Sequence, residues 1–191
     1  MLRKTLQIRS ETEVIYYKVV TKLDKKAQNV VQCLKAKNRT VATAESCTGG
    51  LLSGAVTAVS GASEVFGYGA CTYANEAKIK LLSVKPETLA EHGAVSEQTA
   101  KEMASGIRAL SGADYGVSTT GIAGPDGGTP EKPVGTVWIG ISSEARTFAV
   151  CHVFSGEAFP EETDRRAAIR KEAVLTALML LEQELLSESS R

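Results

Sequence analysis

Histidine, aromatic residues and paired cysteines are scarce in this 191-residue chain. Aromatic residues make up 5% of it, there are two histidines, and none of the four cysteines belongs to a C-x-x-C pair (Cys33, Cys47, Cys71 and Cys151). Zinc modules bring their Cys and His ligands together at short spacings, so this pattern predicts no metal site. It also argues against a disulfide framework. With no secretory signal at the start of the chain, we expect free thiols and a cytoplasmic location.

Long apolar runs and a net charge are missing as well. No stretch approaches the roughly 18 apolar residues that a membrane helix needs, so we expect no membrane partner. The 22 basic and 22 acidic residues cancel, but residues 1–40 hold 10 basic and 3 acidic residues. A basic arm is typical of proteins that bind nucleic acid or acidic membranes. Because no aromatic pair is present to stack on bases, we favour a solvated helix face and no specific nucleic-acid partner.

Helical and strand patterns alternate along most of the chain. The helical pattern begins at Asp24, after which apolar residues recur at helical spacing. Ser96 is a candidate N-cap for a second helix, which ends near Leu110. The other predicted helices lie at 51–59, 75–82, 86–91 and 163–186, and the predicted strands at 40–45, 65–73, 115–120, 135–142 and 146–154. A short polar turn joins the last two strands as a hairpin. This order predicts a three-layer α/β domain with a mixed sheet.

The first 21 residues do not fit this alternation. Residues 14–20 are rich in β-branched and aromatic side chains, which predicts an extra edge strand or a remnant of a linker. We therefore divide the chain into a basic extension at 1–21, one domain at 22–187 and a frayed tail at 188–191.

Glycines interrupt the strand predicted at 65–73. Gly67 and Gly69 both lie inside it. Glycine weakens a strand and often marks a place where a backbone or a ligand approaches closely. The pattern therefore predicts a close neighbour for this strand without identifying it.

Two segments that follow predicted strands carry groups suited to nucleophilic chemistry. AESCTGG, at 44–50, places Ser46 before two glycines that open a helix, where free N–H groups hold an oxyanion or a phosphate. The same pattern also suits a simple helix cap. TYANEAK, at 72–78, offers Tyr73 and Lys78. A buried lysine with a lowered pKa can deprotonate serine, and a tyrosine can relay the proton, although a helical lysine is ordinarily a solvated charge.

A third segment, GIAGPDGGTPEKP at 121–133, is too rich in glycine and proline for a helix or a strand. Its glycines allow the backbone to approach a ligand closely. The segment lacks the G-K-[ST] of a P-loop, and no helix clearly follows it as in a dinucleotide-binding fingerprint. Its composition and position predict that Thr120, Gly121 and Gly124 cradle a ribose or a phosphate.

Taken together, four blocks resemble the CinA C-terminal domain family. They are AESCTGG, GYGACTYANEAKIKLL, GAVS and TTGIAGPDGGTPEKPVGTVWIG, in the family's order and spacing over about residues 27–155. The family includes nicotinamide mononucleotide deamidases, which hydrolyse the carboxamide of that nucleotide to the acid and ammonia. The resemblance implies an α/β/α sandwich with a mixed, mostly parallel sheet and the stand-alone form of the enzyme. It further implies a small nucleotide substrate and no cofactor, and we expect a homo-oligomer.

The resemblance also assigns roles to residues. Ser46 matches the family's nucleophile, Lys78 its general base and Tyr73 its assisting tyrosine. We expect the backbone around Thr48, Gly49 and Gly50 to hold the oxyanion. The chain departs from the family at residues 157–163, which separate Phe154-Ser155-Gly156 from the final helix. Arg165 or Arg166 is nevertheless expected to reach the phosphate.

Three other functions compete with this interpretation. A catalytically silent module would bind nucleotides without turning them over, although the intact Ser46, Tyr73 and Lys78 set argues against it. A cysteine amidase would use Cys47, whose pKa a helix N-terminus lowers, but no histidine lies in a partner motif. DNA binding through the basic arm ranks last, since charge alone gives only salt-sensitive contact.

Overall fold

The computed structural model describes residues 11–154 and 164–187. Its helices are α1 (Glu11–Ala36), α2 (Leu51–Thr57), α3 (Asn75–Leu82), α4 (Pro86–His92), α5 (Glu97–Ser111) and α6 (Arg165–Ser187), with a 3-10 turn at Ala62–Glu64. Its strands are β1 (Val41–Glu45), β2 (Phe66–Cys71), β3 (Tyr115–Gly121), β4 (Thr136–Ser142) and β5 (Thr147–Val153). The predicted N-cap of α5 is confirmed, because Ser96 Oγ accepts from Thr99 N–H at 3.2 Å. None of the described helices is both long and apolar enough to cross a membrane.

The five strands form one mixed sheet in the order β2-β1-β3-β4-β5. β1 pairs parallel with β2 and with β3, whereas β4 pairs antiparallel with β3 and with β5. Four strands therefore point the same way and β4 alone runs against them. This confirms the expected mixed, mostly parallel sheet.

Helices cover both faces of this sheet. Successive residues of β1 point to opposite faces, so Val41 lies in one core and Ala42 in the other. The larger core packs α1, α2 and α6 on one face through buried side chains such as Val31, Leu52 and Leu178. The smaller one holds α3 and α5 against the other face through Leu82, Met103 and Ile107. The expected three-layer sandwich is thereby confirmed.

The first helix shows that the strand or linker predicted at residues 14–20 is wrong. α1 runs from Glu11 to Ala36 without interruption. Its C-terminal half is fixed by the buried stripe of Ala27, Val30 and Leu34. Extending an existing helix adds hydrogen bonds without a new nucleus, whereas β-propensity takes effect only beside a partner strand. α1 continues across 21/22, and residues 1–10 and 188–191 lie outside the described residues, so the division of the chain at 21/22 and 187/188 stays a prediction.

The carboxyl ends of the parallel strands bring the sequence motifs together. Ser46 N–H donates to Thr119 O at 2.9 Å, which ties the segment after β1 to the end of β3. Thr72 N–H donates to Glu45 O at 2.8 Å, which ties the segment after β2 to the end of β1. The residues after β1 and β2 therefore face each other across one edge of the sheet.

Candidate active site

Ser46 and Lys78 meet at this edge. Lys78 Nζ lies 3.2 Å from Ser46 Oγ and donates to Thr72 O at 2.8 Å and to Tyr73 O at 3.1 Å. The Lys78 residue is only 1% exposed. Burial lowers the pKa of Lys78, because the charged ammonium loses its hydration, and the nearby Cys47 and Glu76 oppose this effect.

The acceptors around Lys78 suit an amine that takes a proton from Ser46. A neutral amine has two N–H groups and one lone pair. The carbonyls of Thr72 and Tyr73 can only accept, so they take both N–H groups. The lone pair is then left for the Ser46 hydroxyl, which donates to it. After the proton has moved, the ammonium's third N–H points back at Ser46 Oγ.

Tyr73 is held at its phenol oxygen by an arginine from α6. The residue is 64% exposed, and Arg166 Nη2 donates to its Oη at 3.1 Å. The same guanidinium donates through Nη1 to Gly124 O at 2.5 Å. Because arginine can only donate, Tyr73 accepts in this contact and its own O–H remains available as a donor. One side chain thus joins the loops after β2 and β3 to the start of α6.

Glu45 organises the turn that carries Ser46. Its side chain is fully buried, and its carboxylate accepts from the N–H groups of Gly50, Leu52 and Ser53 at 2.8 to 3.0 Å. The hydroxyls of Thr48 and Ser53 also donate to it, at 2.7 and 2.6 Å. Gly50 allows the tight entry into α2 because its φ is 95°, which disfavours other residues. Glu45 therefore supplies the anion that the N-terminus of α2 favours.

This carboxylate occupies the place where the sequence predicted an external anion. Gly50 N–H donates to Glu45 and Gly49 N–H donates to Ser46 O at 3.1 Å. The Thr48 hydroxyl donates to Glu45 and accepts from Thr119 Oγ1 at 2.6 Å. These groups hold the turn itself. A contact between Thr48 and an oxyanion would therefore have to use its backbone N–H.

The structure removes the basis for Cys47 as the nucleophile. Cys47 is 5% exposed, and burial raises its pKa to about 12. The backbone N–H groups of Cys47 and Thr48 act in the opposite direction but are outweighed, and the Glu45 carboxylate reinforces the rise. The expected lowering by the helix N-terminus is therefore present, but burial outweighs it and the pKa of Cys47 is raised. The thiol stays protonated at neutral pH.

The glycine-rich loop has internal reasons for its composition. The Thr120 hydroxyl is buried and donates to Ala94 O at 2.7 Å. A Cβ at Gly121 would lie 2.6 Å from Thr136 O, so glycine is needed where β3 meets β4. The Gly124 carbonyl accepts from Arg166 on α6 and does not face open space. The cradle predicted from these residues stays a prediction, and their hydrogen bonds and packing explain their identities without a ligand.

α6 places two arginines at the site. Arg165 is exposed, whereas Arg166 reaches Tyr73 and Gly124. One turn later, Arg170 donates to Cys47 O at 3.1 Å and to Thr48 O at 2.7 Å. The sequence analysis missed Arg170 and assigned no role to Glu45. The four-residue spacing of Arg166 and Arg170 was the available signal, since it puts both on one helix face.

Within 11–154 and 164–187, no group of three or more His, Cys, Asp or Glu side chains is placed to hold a metal ion.

Replacing Glu45 with glutamine is expected to lower the free energy of unfolding by about 2–4 kcal/mol. The amide nitrogen would face donors, and buried donors without acceptors cost about 1–3 kcal/mol each. Urea unfolding measures the change. Glu64→Gln is the matched control, because that carboxylate is 66% exposed and pairs with Lys35. Similar losses in the two variants would contradict the role given to Glu45.

Comparison with known proteins places these residues in a family context. The family model of the CinA C-terminal domain matches residues 23–185. A nicotinamide-nucleotide amidohydrolase of Shigella flexneri is 46% identical over 166 residues, which cover 85% of this chain and 94% of that protein. A crystal structure of a CinA superfamily protein from Klebsiella pneumoniae superposes with a TM-score of 0.79 at 34% identity, covering 86% of this chain and 98% of that one.

Other relatives are much longer than this chain. A protein of Thermoanaerobacter pseudethanolicus, named for competence-damage induction, is 48% identical over 157 residues. The match covers 82% of this chain and 36% of that protein. The chain therefore spans about a third of the competence-damage relatives and nearly the full length of the amidohydrolases.

Proposed function

This chain belongs to the CinA C-terminal domain family, and we propose that it is a nicotinamide-nucleotide amidohydrolase. It would convert nicotinamide mononucleotide and water to nicotinic acid mononucleotide and ammonia, and so recycle pyridine nucleotides in the cytoplasm. The observation that carries the proposal is the 3.2 Å approach of Lys78 Nζ to Ser46 Oγ in a buried setting. The similarity to amidohydrolases over nearly their whole length supports the choice of substrate.

The reaction begins with a proton transfer from Ser46 to neutral Lys78. Ser46 Oγ then forms a bond to the carboxamide carbon, and the carbonyl oxygen takes the negative charge. The proton on Lys78 passes to the amide nitrogen, the C–N bond breaks and ammonia leaves. We assign the assisting role in this transfer to the O–H of Tyr73, whose oxygen accepts from Arg166. No other titratable side chain is needed for the step.

A water molecule completes the cycle. It loses a proton to Lys78, and its oxygen attacks the ester carbon that is bound to Ser46 Oγ. The C–O bond to Ser46 breaks, the proton on Lys78 returns to Ser46 Oγ, and the acid is released. Water replaces ammonia in the same position, so the same base serves both halves of the reaction.

The phosphate of the nucleotide is assigned to the neighbourhood of Arg166 rather than Arg165. Arg166 lies against Tyr73 and Gly124, whereas Arg165 points into solvent on α6. Residues 157–163 lie outside the described residues, so this assignment rests on the described part of α6. The sequence offered Arg165 or Arg166 for this contact, and the proposal takes Arg166.

A silent nucleotide-binding module is the second candidate. One observation favours it: internal hydrogen bonds and packing explain the identities of the residues that were predicted to cradle the substrate. Against it, burying Lys78 costs free energy, because a charged amine loses its hydration. A protein that only binds nucleotides would gain no chemical function in return for this free-energy cost.

Turnover of nicotinamide mononucleotide tests the proposal directly. Purified protein incubated with the nucleotide is expected to release ammonia and nicotinic acid mononucleotide in equal amounts. Chromatography measures the acid, and a coupled assay measures ammonia. Saturable binding of the nucleotide without either product, in a folded protein, would favour the silent module.

A further inference from the structure

One buried hydroxyl beside the candidate dyad has no hydrogen-bond partner in the described part of the chain. It belongs to Thr72, which is 0% exposed. Both backbone groups of this residue are used, because its N–H donates to Glu45 O at 2.8 Å and its carbonyl accepts from Lys78 Nζ at 2.8 Å. A buried hydroxyl without a partner destabilises a fold, and valine would fill nearly the same space without it. The packing of the fold therefore does not explain the hydroxyl.

The side chain of Thr72 lies on the sheet face that α3 covers. Side chains alternate along a strand, and Ala70, two residues earlier, packs against the smaller core of Ala42 and Leu82. The pairing of β2 with β1 continues through the Thr72 N–H, so the alternation reaches Thr72. Lys78 comes from α3 on this face, and its amine ends at the Thr72 carbonyl. The hydroxyl therefore shares a residue and a sheet face with the group that binds the amine.

The hydrogen bonds that Lys78 needs change during the proposed reaction. Neutral Lys78 donates its two N–H groups to the carbonyls of Thr72 and Tyr73 and turns its lone pair to Ser46 Oγ. The ammonium has three N–H groups. Once Ser46 Oγ is bonded to the carboxamide carbon, that bond uses one of its lone pairs and makes it a weaker acceptor for the third N–H. A buried, charged donor without an acceptor would raise the free energy of the intermediate.

We propose that Thr72 is a positioning residue for Lys78, and that its hydroxyl accepts the third N–H of the ammonium while Ser46 is bonded to the substrate. Bulk water does not reach the buried Thr72 Oγ1, so its partner has to be a neighbouring protein group whose own hydrogen bonds change. Rotation about the Cα–Cβ bond of Thr72 redirects the hydroxyl without moving the backbone. The proton stays on Lys78 Nζ throughout, and no covalent bond forms or breaks in this contact.

The inference rests on the proposed function, because it gives Thr72 a role in the intermediates of that reaction. In the first half the contact holds the proton until the amide nitrogen takes it. In the second half it holds the proton until Ser46 Oγ leaves the acid. Thr72 acts only through Lys78 and touches no substrate atom, so its loss is expected to slow turnover without weakening substrate binding.

The pKa of Lys78 tests this contact without using activity. In Ser46→Val a methyl group takes the place of the hydroxyl, so the ammonium loses one acceptor and Thr72 is expected to replace it. Adding Thr72→Val is then expected to lower the pKa of Lys78, whereas Thr72→Val alone leaves it close to the wild-type value. Besides burial, Cys47 and Glu76 act on the pKa of Lys78, and both are unchanged in all these variants. NMR of isotope-labelled lysine measures this pKa, and Lys78→Met identifies the signal.

Two results of this comparison would overturn the proposal. One is an unchanged pKa of Lys78 when Thr72→Val is added to Ser46→Val. The other is the same lowering in both backgrounds, since the Thr72 hydroxyl would then act on Lys78 whether or not Ser46 can accept. Circular dichroism verifies that each variant is folded, and if Ser46→Val does not fold, the kinetic comparison of Thr72 variants decides.

Kinetics on nicotinamide mononucleotide give that comparison. Thr72→Val is expected to lower kcat about 10- to 100-fold, as the loss of a hydrogen bond to a charged group does, with KM unchanged. Its thermal midpoint is expected to equal or exceed that of the wild type, because valine removes the unpartnered hydroxyl. Thr72→Ser keeps a hydroxyl and is expected to restore kcat.

Thr40→Val is the matched control. Thr40 directly precedes β1, at the end opposite to Ser46, and its hydroxyl donates to Asp114 Oδ2 at 2.9 Å and accepts from Asp114 N–H at 3.1 Å. Losing these bonds is expected to lower the thermal midpoint and leave kcat unchanged, which is the reverse of the pattern at Thr72. The same result in Thr72→Val would make its hydroxyl purely structural and overturn the proposal. A wild-type protein that releases no product would contradict the proposed function instead, and the pKa comparison would still show whether Thr72 accepts from Lys78.

Discussion

Ser46→Ala is expected to abolish hydrolysis of nicotinamide mononucleotide, with kcat falling by about 10⁴-fold or more. Removing the nucleophile removes the acyl-enzyme route, and losses of this order or larger follow the deletion of catalytic serines. The fold should be retained, because the Ser46 backbone N–H still bonds to Thr119 O and only the hydroxyl is lost. Ammonia release at saturating substrate measures the effect, and the thermal midpoint reports the fold.

Cys47→Ala is the control for this variant. The Cys47 thiol adjoins the same turn, but burial raises its pKa to about 12, so it does not act as a nucleophile at neutral pH. We expect a modest loss of stability from the small cavity and a kcat close to that of the wild type. The opposite result, with Ser46→Ala active and Cys47→Ala inactive, would assign the chemistry to the thiol.

Lys78→Met is expected to lower kcat by about 10²–10⁴-fold, which is the usual contribution of a general base. Methionine keeps the length and apolar stem of lysine but cannot accept a proton. Lys80→Met is the matched control, since Lys80 lies on the same helix and is exposed. Normal activity in Lys78→Met, or equal losses in the two variants, would remove Lys78 from the mechanism.

The pH dependence of the wild-type rate tests the same base. Only neutral Lys78 accepts the Ser46 proton, and the neutral fraction grows as pH rises. Because burial lowers the pKa of Lys78, kcat/KM should increase tenfold per pH unit and level off below 10.5, the ordinary lysine value. A rate that is flat up to that value, or that falls with pH, would contradict this role.

The meeting of Ser46 and Lys78 at the candidate site could be predicted from the sequence because its parts are local. Ser46 and Lys78 each follow a strand, and the carboxyl ends of parallel strands meet at one edge of a sheet. The alternation of helical and strand patterns was sufficient to predict every strand that the structure describes. The two motifs came together because β1 and β2 are neighbours in the sheet.

The supporting residues could not be predicted in the same way. The contact of Arg170 with Thr48 O depends on how α6 packs against α2, 122 residues away in sequence. The choice between Arg165 and Arg166 depends on the rotation of α6 about its axis, and residues 157–163 interrupt the pattern that would have fixed it. The role of Glu45 could not be predicted, because a carboxylate before a helix resembles an ordinary cap until its burial is known.

The contact of Arg170 with the turn that carries Ser46 also depends on the order in which the chain is synthesised. The carbonyls of Cys47 and Thr48 are synthesised early, and Arg170, which donates to them, follows Cys47 by 123 residues and Thr48 by 122. At roughly 5–20 residues per second, about 6–24 s pass between the two. A nascent chain can form β1 and β2 in that interval, but Arg170 braces the turn that carries Ser46 only once α6 has left the ribosome. Translation therefore separates the synthesis of this turn from the formation of the contact that braces it.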